Sequence, residues 1–259
     1  MYAQENQLTK SPNKVETSAA MLQAVNSGEW FKFRIHYGIF NASYATIEVN
    51  EELWEGKPVF HAKGVGKTTG LARLFFKVDD YYDSYFDING VRPLYFTRNI
   101  NEGGYKKNVT IRFDHEANTA SVNDLLKGEK GTYKTEPNIQ DLISCFYYLR
   151  ENLDTSNIKK GDFVVVNLFF DAENFGFKFK FLGDEMIKTK FGYVNSLKFR
   201  PYVQSGRVFK SSESITLWVS SDKNKIPLRL QASLRVGSIT ADLDEFKGLK
   251  NPFNIVIQN

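Results

Sequence analysis

The chain has 259 residues, 42% of them hydrophobic and 25% charged, and a formal net charge of +4. This is the composition of a globular protein that is long enough to bury a substantial core. The basic residues are scattered and match no nucleic-acid-binding motif, so no nucleic acid partner is expected. No stretch approaches the roughly 18 consecutive apolar residues of a membrane-spanning helix, so no transmembrane segment is predicted.

The N-terminal residues are polar and lack a regular pattern. Residues 1–5, MYAQE, resemble the small-residue end of a secretory signal whose apolar part has been removed. We therefore predict that residues 1–27 are a flexible mature N-terminus, with a short helix near 18–25. An ordinary flexible tail that follows a start codon explains the same residues.

From residue 30 onward the sequence indicates a series of short strands. Residues 30–37 alternate strictly between apolar and polar side chains, and a turn at 38–41 leads into a second strand over 42–49. Another turn at 55–58 precedes a strand that runs from 59 towards 64. Closely spaced strands joined by short turns are typical of an antiparallel meander.

The string GVGKTT at residues 64–69 looks like the end of a phosphate-binding loop. The first glycine of that motif would fall at position 61, which is His61. The motif also requires a parallel α/β sheet and a full-length helix after the lysine, whereas only residues 71–77 could be helical here. We predict no nucleotide site, and we expect the glycines to relieve crowding where a strand bends or ends.

Residues 78–86 are acidic and rich in tyrosine. Asp79, Asp80, Asp83 and Asp87 suggest a calcium site, but the glycine and glutamate spacing of a calcium-binding loop is missing. Solvated strand faces and turns explain these carboxylates better. Further strands are predicted over 93–100, 105–114 and 119–123, with a short one at Tyr133.

Residues 138–153 have the clearest helical period of the chain. Asn138 is a candidate N-cap, with Asp141 three residues later as its partner. The apolar residues recur at spacings of three and four and predict one apolar face, formed by Ile139, Leu142, Ile143, Phe146, Leu149 and Leu153. We expect this amphipathic helix to pack against the sheet.

A second series of strands follows the helix. The predicted ranges are 163–170, 175–182, 185–191, 194–203, 214–219, 228–234 and 238–243. Together the patterns predict a mainly β protein in which a large antiparallel meander of about a dozen strands forms a curved barrel or sandwich around one central helix. We assign residues 28–247 to a single domain and 248–259 to a C-terminal tail.

Motifs for catalysis, metals and cofactors are missing. The single cysteine, Cys145, excludes an internal disulfide and fits a small buried hydrophobic residue. His36, His61 and His115 lie far apart and lack zinc-site spacing, and no nucleophile elbow is present. We predict no cofactor, no metal and no catalytic residue.

Several strings, in order, resemble those of the DUF3108 family of exported bacterial proteins. They are the turn at 38–39, residues 64–70 and 79–87, Arg98 with 102–105, DLISCFYYLR at 141–150, and 225–227 leading to 236–239. The resemblance covers residues 28–247 and implies a periplasmic cell-envelope protein with an antiparallel barrel or sandwich of the YmcC-like type. It also implies a link to capsule and exopolysaccharide genes. The family supplies no catalytic residues to transfer, and a lipid-anchored N-terminal cysteine is not expected because Cys145 is internal.

The favoured function is therefore a non-catalytic binding protein whose sheet offers a groove to an envelope glycan, a lipid or an outer-membrane or periplasmic protein. Tyrosine offers an apolar face with a hydroxyl, and an arginine can pair with an anionic group. On this basis the predicted binding residues are Tyr81, Tyr82, Tyr85, Tyr95, Arg98, Glu102 and Tyr105. In the structural alternative Arg98 pairs with an aspartate of 79–87 and the tyrosines fill the core. The functional alternatives are a glycan hydrolase that uses two carboxylates and a scaffold that binds through a strand edge.

Overall fold

One antiparallel sheet forms the body of the protein, with 14 strands in the part of the chain that the structure describes. The computed structural model describes residues 22–70, 72–203 and 215–257. Within these ranges the strands are, in chain order, β1 Glu29–Tyr37, β2 Phe40–Trp54, β3 Lys57–Thr68, β4 Asp79–Asp87, β5 Pro93–Glu102, β6 Tyr105–Asp114, β7 Thr119–Asp124, β8 Glu129–Lys134, β9 Phe163–Phe170, β10 Glu173–Thr189, β11 Gly192–Val203, β12 Ile215–Ser220, β13 Pro227–Ser233 and β14 Ser238–Lys247. Two helices interrupt them, α1 Ala72–Phe75 and α2 Ser144–Asn152.

The strand order shows two meanders joined through the first and last strands. Strands β1 to β8 follow one another in one meander and β9 to β14 in the other, and β1 pairs with β14 between them. This pairing runs from Trp30 opposite Lys247 to Tyr37 opposite Ile239. In the described residues the sheet is not closed, and β8 and β9 are its edges. The predicted antiparallel, mainly β fold is thus confirmed.

Several strands are longer than predicted. The strands predicted over 175–182 and 185–191 are one strand, β10, which is 17 residues long. Its register with β11 shifts between Phe181 and Gly183, and Gly183 has a φ of 120°. A bulge with a glycine at this φ lets the strand bend and continue, whereas the sequence pattern suggested a break.

The helix begins later than predicted. Asn138 is not its N-cap but a turn residue with a φ of 55°, and Gln140 pairs with Leu168 of β9 as a parallel bridge. Asp141 takes the capping role, because its Oδ1 accepts hydrogen bonds from the backbone N–H groups of Ile143 at 2.8 Å and Ser144 at 2.7 Å. The Ser144 hydroxyl accepts in turn from the backbone N–H of Asp141 at 2.9 Å. This reciprocal cap starts a helix of nine residues, Ser144–Asn152, instead of one over 138–153.

The core lies between α2 and the inner face of the sheet, the face against which the helix packs. The larger cluster joins side chains of the first meander to Ile139, Ile143 and Tyr147. A smaller cluster joins Leu153 to the middle of the second meander, including Phe179 and Phe199. The larger cluster also includes side chains of the second meander, among them Phe169, Val194 and Trp218, so the core extends across both meanders.

Parts of the predicted tails belong to this core. Residues 22–27 were expected to be flexible, yet Leu22, Ala24 and Val25 are buried. In the tail expected over 248–259, Phe253 packs on the core and Val256 pairs with Tyr193. Each segment contains too few apolar residues to show a helical or strand periodicity. Their burial depends on tertiary contacts, which the sequence pattern does not reveal. Residues 22–25 of the short helix expected near 18–25 are not helical, whereas residues 18–21 and the signal-like residues 1–5 lie outside the described residues.

The phosphate-loop-like string lies in regular sheet. Gly64 to Thr68 belong to β3, which pairs antiparallel with β2 and β4. Gly64 sits under the chain that leads into α2, since a Cβ there would lie 2.8 Å from Cδ1 of Ile143. The expected crowding is therefore found at Gly64, but it lies within β3 and comes from Ile143, not from a bend or an end of the strand. Among the described residues, none of the helices has the length and apolarity needed to cross a bilayer.

Candidate functional site

A large groove lies between α2 and the inner face of the second meander. Its volume is about 810 Å³. Its walls come from α2 and its flanks, from β9 to β13 and from one residue each of β4 and β5 in the first meander. The described residues that line it are Tyr82, Glu102, Leu142, Cys145, Phe146, Leu149, Arg150, Leu153, Val164, Leu168, Phe170, Phe175, Phe177, Phe179, Phe199, Pro201, Ile215, Leu217, Val219, Lys225, Pro227 and Leu230.

The helical wall of the groove is the apolar stripe that the sequence predicted for core packing. Leu142, Phe146, Leu149 and Leu153 all line the groove. Leu142 is 40% exposed, and Phe146 and Leu149 are only half-buried. Of the six residues predicted to share one apolar face, these four border the groove, whereas Ile139 and Ile143 are buried in the larger core cluster. Protein atoms fill only part of the space in front of these four side chains.

The opposite wall is aromatic because β10 alternates. Phe175, Phe177 and Phe179 are two residues apart and therefore project to the same side of the strand. The rings of Phe177 and Phe179 meet edge to face with centroids 4.5 Å apart. Leu168 and Phe170 continue the surface on β9, and Phe199 does so on β11. Aromatic and aliphatic side chains thus form a continuous apolar wall.

Arg150 reaches the groove but is neutralised on its buried side. It is 2% exposed and makes two hydrogen bonds to the carboxylate of Glu29, at 2.8 Å and 2.9 Å. Its remaining donors bind the backbone carbonyls of Ala24 and Asn224. Burial raises the pKa of Glu29 and the bonds from Arg150 oppose that rise. This ion pair fixes the helix against the strands and leaves little charge for a ligand.

Asp141 anchors the beginning of the helix. It is fully buried, and its Oδ2 accepts a hydrogen bond of 2.6 Å from the hydroxyl of Ser84 on β4. Burial raises the pKa of Asp141 to about 6, although the hydrogen bonds from Ser84 and from backbone N–H groups favour the carboxylate. The neighbouring Cys145 is buried as predicted, and burial raises the pKa of its thiol to about 12. The thiol is therefore protonated near neutral pH and is a poor nucleophile.

Two acidic groups meet where β4 and β5 reach the groove. Glu102 lines the groove and is hydrogen-bonded to Asp80, which is 5% exposed. Burial and then this hydrogen bond raise the pKa of Asp80 to about 6. A glycoside hydrolase needs its two acids separated by roughly 5 to 10 Å so that they flank a bond.

Lys225 lies beside the C-terminal end of the helix. It lines the groove and donates a hydrogen bond to the backbone carbonyl of Leu153. Burial lowers the pKa of Lys225, while Glu151 and Asp154 act at longer range to raise it. Its backbone has a φ of 48°, in the left-handed region that non-glycine residues rarely occupy.

The structure divides the seven predicted binding residues among several places. Tyr82 and Glu102 line the groove. Arg98 lies in an adjoining cleft of about 180 Å³, where Phe170 forms part of both walls. Arg98 pairs with Asp171 at 2.9 Å, so the alternative pairing with an aspartate of 79–87 is not the observed ion pair.

Strand alternation separates the remaining tyrosines from the groove. Tyr85 and Tyr95 form an aromatic cluster with Trp54, in which Tyr85 stacks on His61 with ring centroids 3.9 Å apart. Tyr81 shares its strand face with Tyr85, while Tyr82 faces the other side. Tyr81 and Tyr105 are 42% and 56% exposed. The tyrosines therefore form no single binding surface.

The acidic residues considered for calcium have separate partners. Asp79 pairs with Arg73, Asp83 bonds His61, and Asp87 pairs with Arg92. Among the described residues no group of three or more potential metal ligands converges.

Sequence reasoning missed most of the groove. The second meander contributes more of its wall than the tyrosine-rich strands do. The alternation of phenylalanine with glycine and lysine over 175–180 was a usable signal, because it marks an apolar strand face. The sequence could not show that this face is left partly uncovered.

Comparisons with other proteins agree with the fold. A family profile described as protein of unknown function (DUF3108) matches residues 32–244. A β-barrel-like protein of the DUF1849 domain from Brucella abortus is similar in structure, with a TM-score of 0.55 and 11% identity over 87% of this chain and 98% of that one. A protein from Parabacteroides distasonis, provisionally described as a lipoprotein, has a TM-score of 0.36 and 14% identity over 88% and 97% of the two chains. No curated protein matches. At these identities the first structure supports a barrel-like fold alone, and the second supports no argument.

Proposed function

This chain belongs to the DUF3108 family of proteins of unknown function, and we propose that it is a non-catalytic, exported cell-envelope protein that binds the alkyl chain of a lipid. The observation that carries the proposal is the apolar groove between α2 and the second meander. Its volume of about 810 Å³ lies within the range of roughly 300 to 1,000 Å³ that small-molecule pockets occupy. Burying an alkyl chain there is favourable by about 25 cal/mol for each Å² removed from water.

The lining of the groove favours a lipid over a glycan. A sugar presents many hydroxyl groups, and each one buried without a hydrogen bond costs about 1 to 3 kcal/mol. The polar side chains of the described lining are few, and two of them, Arg150 and Glu102, already bind Glu29 and Asp80. An alkyl chain has no hydroxyl groups that would need hydrogen bonds in the groove.

A glycan hydrolase and a scaffold that binds through a strand edge are less well supported. The contact between Asp80 and Glu102 differs from the separation that a carboxylate-dependent hydrolase needs. A scaffold could use edge strand β9, where Phe163 and Val165 are 52% and 51% exposed. Further along that strand, however, Leu168 is bridged by Gln140, which shortens the available edge.

Binding of a neutral apolar probe tests the proposal. Diphenylhexatriene fluorescence should show saturable binding to the wild-type chain. Leu142→Glu should weaken it at least tenfold, because a charge would lie in the groove at a position that is already 40% exposed. Leu126→Glu is the matched control, since Leu126 is 57% exposed and lies in the turn between β7 and β8, away from the groove.

Two results would contradict the proposal. One is equal probe binding by both glutamate variants, which would put the probe elsewhere. The other is no probe binding by a wild-type chain that sediments as a dimer, which becomes a monomer in Leu142→Glu. That result would make the groove a subunit interface.

The cellular location of the protein is a separate part of the proposal and has its own test. A periplasmic site is what the family resemblance implies, and a lipid-binding groove suits a compartment between two membranes. Osmotic-shock fractionation of cells that express the full-length gene should release the protein with periplasmic markers. Recovery with cytoplasmic markers would contradict this part while leaving lipid binding open to its own test.

A further inference from the structure

The charged residues of the groove differ in how fully they are paired. In the described lining these residues are Glu102, Arg150 and Lys225. Arg150 is neutralised by the bidentate contact with Glu29, and Glu102 is bonded to Asp80. For Lys225, no carboxylate of the described residues lies within 4.0 Å, and the amine donates to one backbone carbonyl, that of Leu153. An ammonium group has three donors, so two remain for another partner.

The surroundings of Lys225 place its charge at an apolar boundary. Pro227 and Leu153 also line the groove, the carbonyl of Leu153 accepts the hydrogen bond from the Lys225 amine, and burial of this amine lowers its pKa. A half-buried cation with spare donors gains more from a bound anion than an exposed one does, because water screens the pair less.

The backbone at Lys225 has a conformation that a lysine side chain disfavours. Its φ of 48° lies where glycine or asparagine is the usual residue. The turn is held by the neighbouring Asn224, whose side chain donates to the carbonyls of Asn251 and Pro252. Strain of this kind at a position facing a groove supports a functional role for the side chain.

Resting on the lipid-binding function proposed above, we infer that the ligand is an anionic amphiphile whose head group pairs with Lys225 while its alkyl chain lies along the apolar groove. The shared chemistry is a carboxylate or phosphate attached to a long alkyl chain. The helix provides the apolar wall beside it through Leu149 and Leu153. A neutral lipid would leave the Lys225 donors unused.

Competition for bound diphenylhexatriene at pH 8 tests the inference. Hexadecanoate and lysophosphatidic acid should displace the probe about tenfold better than hexadecanol, an effect of the size of one charge-assisted hydrogen bond. Lys225→Met should abolish this preference while still binding the probe, because the methionine keeps the apolar stem and the retained probe binding reports an intact groove. Lys225→Arg should keep the preference.

Lys223→Met is the matched control, since Lys223 is exposed on the same turn and does not line the groove. It should leave the preference unchanged. Stronger competition by hexadecanoate would identify a free fatty acid as the source of the anion, and stronger competition by lysophosphatidic acid a phospholipid. Equal competition by hexadecanol, or a preference that survives Lys225→Met, would overturn the inference without affecting the proposed function. Absence of probe binding by the wild-type chain would instead count against the proposed function.

Discussion

The two ends of α2 are held by polar groups that are buried in the protein, whereas apolar side chains along its groove side stay partly exposed. Ser144 and Arg150 are 0% and 2% exposed, although Arg150 also reaches the groove, and Leu142 is 40% exposed. A helix that used this apolar stripe to seal the core would bury these side chains instead. The position of this helix is therefore set by directed hydrogen bonds and an ion pair, and its apolar residues remain available to a groove.

The polar contacts at the two ends of α2 also explain why the helix does not settle into the groove. Burial of apolar side chains is non-directional, so a helix held by its apolar stripe alone could settle into the groove and fill it. The hydrogen bond from Ser84 to Asp141 and those from Arg150 to Glu29 hold α2 at both ends. Substitutions that remove these anchors should therefore have the largest effects on the position of α2 and on the stability of the fold.

The largest effect is expected for Arg150→Met. The free energy of unfolding, measured by urea denaturation, should fall by about 3 to 5 kcal/mol, because the buried carboxylate of Glu29 loses its partner. The double variant Arg150→Met/Glu29→Met should regain most of this loss. Arg112→Met is the control, since its pair with Glu55 is 53% and 54% exposed and should contribute less than about 1 kcal/mol. Equal losses in the two single variants would show that the buried pair is not the anchor.

A smaller effect, which depends on pH, is expected at the other anchor. The pKa of Asp141 is about 6 in the folded chain against an ordinary value of 3.8, so the carboxyl favours folding fully below about pH 4 and this contribution is lost as pH rises through 6. The difference between these two pKa values corresponds to about 3 kcal/mol in the free energy of unfolding. The stability of Asp141→Asn relative to wild type should therefore increase by about that amount between pH 4 and 7.5.

Unfolding measured at the two pH values checks this prediction. Asp154→Asn is a suitable control, because Asp154 is exposed beyond the other end of α2 and Ser156 lowers the pKa of its carboxyl. That contribution is present at high pH and lost as pH falls. The stability of Asp154→Asn relative to wild type should therefore decrease between pH 4 and 7.5. A relative stability of Asp141→Asn that does not change with pH would contradict the prediction.

The smallest effect is expected where the chain enters the helix. Gly64→Ala places a Cβ 2.8 Å from Cδ1 of Ile143, so the isoleucine must move and about 1 kcal/mol should be lost. Gly66→Ala, two residues along the same strand, meets an ordinary contact 3.9 Å from Cβ of Asp80. It should be neutral or stabilising by a few tenths of a kcal/mol, since alanine restricts the unfolded chain. Thermal melting of both variants measures the difference, and a Gly64→Ala protein as stable as Gly66→Ala would show that Ile143 is not closely packed there.

Strands and hairpins could be predicted because their signals are local. The ranges 105–114 and 163–170 were predicted with the bounds that the structure shows, since alternation and turn residues are read within a few positions. The start of α2 could not be predicted in this way. Ile139 and Ile143 have helical spacing, but Gln140 between them pairs with Leu168, a partner far away in the sequence.

The candidate site was harder to predict for a related reason. Tyrosine content pointed to β4 and β5, but alternation sends Tyr82 to the inner face and Tyr81 and Tyr85 to the other. The groove depends on space that α2 leaves uncovered in front of the second meander, and empty space has no residue to mark it. Lys225 gave no sequence signal either, because its unusual φ appears only in the folded turn.

The pairing of β1 with β14 has a consequence for the order of folding. Each meander is built from hairpins between consecutive strands, which close short loops and form quickly. The β1–β14 contact joins residues 30 and 247, and a ribosome must deliver the whole intervening chain before it can form. Until then β1 is a bare edge, open to pairing with other chains. Aggregation of nascent or truncated forms that lack β14 is therefore the hazard that this topology carries, and chaperones that shield the first meander would relieve it.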